Sequence, residues 1–166
     1  MNKFALAAVV AASIASPAFA ASGNTSTAAG SAAATVVSPI VLTHTTGATL
    51  NFGKFTAGTG GTVSVTAAAV GSVGGDVGFV PGSVVAADAF SLTGDYNRNF
   101  AIATGSGTVT NAGGATMPFT TTASAATGTL DATGNAAFTV GGTLTVAAQQ
   151  AVGVYNGSYN ATVTYN

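Results

Sequence analysis

Chemistry needs groups that exchange protons, attack electrophiles or hold ions, and this chain carries few of them. His44 is its single histidine, set in the run Val41-Leu42-Thr43-His44-Thr45. It could act as a general base, but the run reads as a strand, and a part-exposed strand residue is the favoured reading. Serine and threonine are plentiful, yet a nucleophile needs a base beside it, and no G-x-S-x-G elbow occurs. Asp95-Tyr96-Asn97-Arg98-Asn99 has the D-x-N-x-N opening of a calcium loop. Phe100 stands where that loop requires glycine, and Ser106 where it requires an acid. The segment therefore reads as a polar turn entering Phe100-Ala101-Ile102. Gly47–Lys54 faintly resembles a phosphate loop, but Phe55 stands where Ser or Thr would hold magnesium, and a hairpin fits better. Tyr96, Tyr155 and Tyr159 could stack on sugars, although aromatics in a strand-rich chain more often pack. No catalytic, metal-binding or cofactor-binding residue is assigned, and an enzyme is the least favoured class.

Composition says the same. Only 4% of the 166 residues are charged, with three Lys or Arg, four Asp and no Glu. Soluble domains average about 25%. The net charge of -1 gives no basic footprint for nucleic acid. Absent cysteines exclude disulfides and thiolate chemistry. Mean hydropathy is +0.53, which is not the signature of disorder.

The first residues read as an address. Lys3 supplies a basic start, Phe4 to Ile14 an apolar stretch, and Ala18-Phe19-Ala20, after Pro17, a cleavage site. Residues 1–20 are expected to be a secretory signal peptide, so the chain is expected to be exported through the inner membrane. Residues 21–34 are Ala, Ser, Thr and Gly with one Asn, and read as a flexible extension. From residue 35 to 166 the pattern becomes β-branched runs cut by glycine.

Those runs predict short strands at Ala34–Thr45, Ala48–Phe55, Thr62–Ala67, Val77–Val80, Ala89–Thr93, Asn99–Thr104, Gly107–Thr110, Ala115–Thr121, Ala136–Val140, Thr143–Val146 and Ser158–Tyr165. Turn signals such as Gly60-Gly61, Gly113-Gly114 and Gly141-Gly142 separate them. Ala147-Ala148-Gln149-Gln150 gives the one hint of helix. The fold class is all-β, a sandwich or barrel. In the last strand Tyr159, Ala161, Val163 and Tyr165 alternate with Asn160, Thr162 and Thr164, so the four share one face.

Gly153 to Asn166, with its penultimate Tyr165, resembles the C-terminal β-zipper of pilins exported by the chaperone–usher pathway. A second resemblance covers about Val36 to Asn166. It rests on Leu50-Asn51-Phe52-Gly53-Lys54-Phe55, like the L-x-F-G strand of spore-coat-U-like pilins, on Gly60-Gly61-Thr62-Val63, on Gly113-Gly114-Ala115-Thr116-Met117 and on Phe138 to Leu144. Together these look like the exported bacterial family called domain of unknown function 4402. The resemblance implies an immunoglobulin-like, pilin-type sandwich that a donor strand from another subunit completes. It makes Gly153, Tyr159, Ala161, Val163 and Tyr165 the polymerisation strand, and Ala32, Ala34 and Val36 a donor segment. The side chains of that donor segment are small for the role, and Thr35, Val37 and Pro39-Ile40-Val41-Leu42 could instead form the subunit's own first strand.

The expected function is an exported structural subunit of a surface filament or coat that assembles by strand addition. Its implied partners are like subunits or related pilins, a periplasmic chaperone and an outer-membrane usher. The runner-up is a secreted or surface β-sandwich that binds glycan or protein. An outer-membrane β-barrel is third, since the chain lacks aromatic girdles and a charged interior.

Overall fold

The computed structural model describes Gly23 and residues 27–166. The expected signal peptide lies outside the described residues. The chain divides into two units, Met1–Thr35 and Val36–Asn166. In the first, residues 27–35 have no regular structure and are exposed.

The second unit is all-β. In chain order its strands are β1 (Val41–His44), β2 (Phe55–Thr56), β3 (Gly61–Val65), β4 (Gly71–Gly75), β5 (Gly78–Phe79), β6 (Asp88–Thr93) and β7 (Asn99–Thr104). Then follow β8 (Gly107–Asn111), β9 (Thr116–Ala123), β10 (Thr127–Thr129), β11 (Asn135–Val146), β12 (Tyr155–Ser158) and β13 (Ala161–Tyr165). The largest sheet runs β1-β6-β11-β9-β8-β12, with β3 and β4 joined through β11. A second sheet runs β10-β7-β13, and β2 pairs with β5. Every pairing is antiparallel. The result is a curled, sandwich-like β fold.

Strand β11 organises the core. Its first half pairs with β6 and its second half with β3, while β9 lies along the middle. Phe138 and Val140 enter one apolar cluster with Phe90, Leu92, Phe100 and Leu130. Leu144 and Val146 enter another with Phe52, Val63, Val65, Val77, Met117 and Phe119. All four even-numbered side chains lie on one face, so one strand floors both clusters. Each such side chain contributes about 1.5–3 kcal/mol on burial.

Four expectations are corrected. Gly141-Gly142 is not a turn between two strands but the buried centre of β11. A Cβ at Gly141 would collide with the Val65 carbonyl, and one at Gly142 would crowd the Thr120 carbonyl and Leu50. Glycine there permits close backbone approach rather than a reversal. The strand expected over Ala34–Thr45 shortens to Val41–His44, because Pro39 has no N–H for a ladder. The Ala48–Phe55 strand reduces to an Asn51–Ala86 bridge and β2, interrupted at Gly53 with φ of 78°. The hint of helix at Ala147–Gln150 is a turn, with Gln149 at φ of 51°.

Candidate functional site

The C-terminal run was expected as one strand, Ser158–Tyr165, and is observed as two. In β12, Ser158 pairs with Thr108 of β8; in β13, Ala161 pairs with Thr104 of β7. Two residues on the C-terminal run therefore face three on Gly105-Ser106-Gly107. That is a β-bulge, which bends the ladder from one sheet into the other. The Gly105 N–H still donates to the Asn160 carbonyl at 2.9 Å. The extra residue sits on the partner strand, so the alternation of the C-terminal run is undisturbed. Tyr159, Ala161, Val163 and Tyr165 all pack against the cluster around Phe90 and Phe138.

Tyr159 holds the hinge of this arrangement. Its ring meets Phe90 edge-on at 6.3 Å and Phe119 at 6.1 Å, so it contacts both clusters. Its hydroxyl donates to Asp88 Oδ2 at 2.8 Å. Asp88 is buried, at 5% exposure, and its Oδ1 meets His44 Nε2 at 2.7 Å and the Ala89 N–H at 2.9 Å. Burial first, and then the Asp88 carboxylate, push the Tyr159 phenol far above its ordinary value of 10.0. The His44–Asp88–Tyr159 chain thus ties β1, β6 and the C-terminal run together. His44 sits on β1 with its side chain half exposed.

A second tie closes the far end. The Tyr165 hydroxyl donates to the Ser38 carbonyl at 3.0 Å and accepts from the Asp95 N–H at 2.7 Å. Arg98 lies over the Tyr165 ring at 5.5 Å and pairs with Asp95 at 3.4 Å. The Asp95–Asn99 segment is accordingly a turn, with Asn97 at φ of 54°.

Between these two ties the flank is open. Among the described residues β13 pairs with β7 alone and β1 with β6 alone. The Asn166 N–H donates to Asn99, which fixes the phase of the ladder. It follows that the N–H and C=O groups of Ala161, Val163 and Tyr165 point away from β7. On β1 the Thr45 N–H donates to Ala89, so those of Leu42 point away from β6. The half-buried side chains of Ile40 and Leu42 face the cluster that Ala161, Val163 and Tyr165 face.

The remaining candidates fall elsewhere. Gly153 precedes β12, exposed and beside Asn111, so it does not join the other four. Ala32 and Ala34 belong to the exposed residues 27–35, and Val36 is 96% exposed. Of the tyrosines weighed as sugar platforms, Tyr96 is exposed while Tyr155 and Tyr159 pack into the first cluster. Sequence reasoning missed Asp88. The signal was present: an acid in Val84-Val85-Ala86-Ala87-Asp88-Ala89-Phe90 must be buried with a partner or face water.

No curated protein and no solved structure matches the chain. Residues 42–165 match the family described as "Domain of unknown function (DUF4402)". That span runs from Leu42 in β1 to Tyr165 at the end of β13, most of the second unit, and the chain belongs to the DUF4402 family.

Proposed function

We propose that this protein is an exported structural subunit of a bacterial surface filament or coat, and that subunits join by strand addition at the flank between β1 and β13. One observation carries the reading. The backbone edge of β13 has no partner strand among the described residues, while its inner face already lines an apolar cluster. An extended segment laid along that edge would gain main-chain hydrogen bonds worth about 1 kcal/mol each. It would also cover Ala161, Val163, Ile40 and Leu42. A charge-poor edge left open is an aggregation hazard for a free monomer. A periplasmic chaperone and an outer-membrane usher are the partners that would shield it during export. Residues 27–36 of a neighbouring subunit, including Ala32, Ala34 and Val36, are the proposed donor.

The test is sedimentation of the exported chain, residues 21–166, beside a form lacking residues 21–36. The full form is expected to be polydisperse or filamentous. The truncated form is expected to lose that assembly and to stay small when a synthetic peptide of residues 27–38 is added and caps its open edge. A stable monomer indifferent to the deletion would defeat the reading.

A further inference from the structure

We infer a second self-association contact, in which β4 of one copy pairs with β12 of the next and continues a single sheet through both molecules. It does not depend on the flank between β1 and β13. The strands β4-β3-β11-β9-β8-β12 form a six-stranded path in which every neighbour is antiparallel. An even number of alternating strands leaves the two margins running in opposite directions. A copy displaced sideways without turning over therefore brings β12 against β4 antiparallel, the same relation found inside the sheet.

The hydrogen-bond phase agrees. The Asp76 N–H donates to Gly60 and the Thr66 N–H to the Val70 carbonyl, which turns the N–H and C=O of Gly71 and Val73 outwards. The Asn111 N–H donates to Ala115, so β8 offers Thr108 and Thr110 to β12. That leaves the backbone groups of Tyr155 and Gly157 pointing outwards. Tyr155 against Val73 and Gly157 against Gly71 then make two reciprocal pairs.

The faces agree as well. Val73 lies opposite Val63, which is buried in the first cluster, and Tyr155 packs on that same cluster. Paired residues project to the same side of a sheet. This register therefore keeps the core-facing side continuous from copy to copy, and a shift of one residue would invert it. Neither β4 nor β12 carries a charge or a proline, the usual devices that blunt an edge. Val73 is 40% exposed and Val154, just before β12, is 78% exposed. The contact is head-to-tail, so it propagates instead of closing as a dimer.

The chain has no cysteine, which makes a cross-linking test clean. In the inferred register Ser72 and Asn156 are directly opposed between copies, and both are exposed. Within one molecule they lie on opposite margins of the path, five strand spacings or about 24 Å apart along the curled sheet. Oxidising the full chain with Ser72→Cys and Asn156→Cys is expected to give a ladder of covalent dimers, trimers and longer species. Each single variant is expected to stay monomeric on a non-reducing gel, and an equimolar mixture of the two to stop at dimers. Adding Val73→Pro removes an outward N–H while leaving the pairing with β3 intact, and is expected to abolish the ladder. Circular dichroism of each variant shows that it has folded. A folded double variant that stays monomeric would overturn the inference. So would Ser72→Cys alone dimerising as well as the mixture, or a ladder that survives Val73→Pro.

Discussion

Replacing Tyr159 with Phe isolates the bond that joins the C-terminal run to β6. The ring stays, with its edge contacts to Phe90 and Phe119. What goes is the hydroxyl, whose hydrogen bond is the one made to Asp88 Oδ2; His44 and Ala89 both address Oδ1. The carboxylate is buried, so water does not replace the lost donor. Hydrogen bonds to charged groups are worth about 1.5–3 kcal/mol, and the expected loss is about 2 kcal/mol. For a domain of this size that lowers Tm by about 7 °C. Urea unfolding followed by circular dichroism measures the loss through the midpoint at unchanged slope. The decisive arm is a double-mutant cycle. In an Asp88→Ala background the same Tyr159→Phe change should cost under about 0.5 kcal/mol, because the acceptor is gone. An equal cost in both backgrounds, or under about 0.5 kcal/mol in the wild type, would refute the assignment of Tyr159 and Asp88 as a coupled pair.

Three further outcomes follow from the same geometry. Gly142→Ala places a Cβ against the Thr120 carbonyl and Leu50, and is expected to cost about 2–3 kcal/mol in unfolding free energy, whereas the same change at the open Gly114 position strains only a turn. Phenolate absorbance of Tyr159, read as the difference between wild type and Tyr159→Phe, should stay silent on alkaline titration until the protein unfolds, because this phenol is raised in the fold; the stability this gives is full below pH 10.0 and declines as pH climbs above it, and a Tyr159 signal appearing near pH 10.0 in folded protein would contradict it. Asp131 accepts from the Asn135 N–H first, then from the Thr133 hydroxyl and N–H, and its carboxyl is held below the ordinary 3.8. That contribution exists above pH 3.8 and fades as pH falls below it, so the stability gap between wild type and Asp131→Asn should close in acid.

The sequence revealed faces better than it revealed boundaries. Tyr159, Ala161, Val163 and Tyr165 were legible as one face because alternation is local, and the bulge that splits their strand lies on the partner, at Gly105-Ser106. Gly141-Gly142 was misread because glycine serves both reversal and close approach, and only the neighbours Val65 and Thr120 distinguish the two. The unbroken even-numbered face of Phe138, Val140, Leu144 and Val146 was the available clue. The link from Asp88 to His44 and Tyr159 spans 44 and 71 residues. No local pattern reports a contact at that separation. The open flank is of the same kind: β1 and β13 are near opposite ends of the second unit, and their missing partners become visible only when every other pairing is known.

The most direct test of strand addition is amide hydrogen exchange at Val163 and Tyr165. Their N–H groups point away from β7, so in the isolated, truncated subunit they should exchange quickly while Thr162 and Thr164 are protected. Adding the peptide of residues 27–38 should slow Val163 and Tyr165 to the rate of their neighbours. If both are already protected in the isolated subunit, or remain fast in the assembled filament, no strand is added at this edge and the account fails.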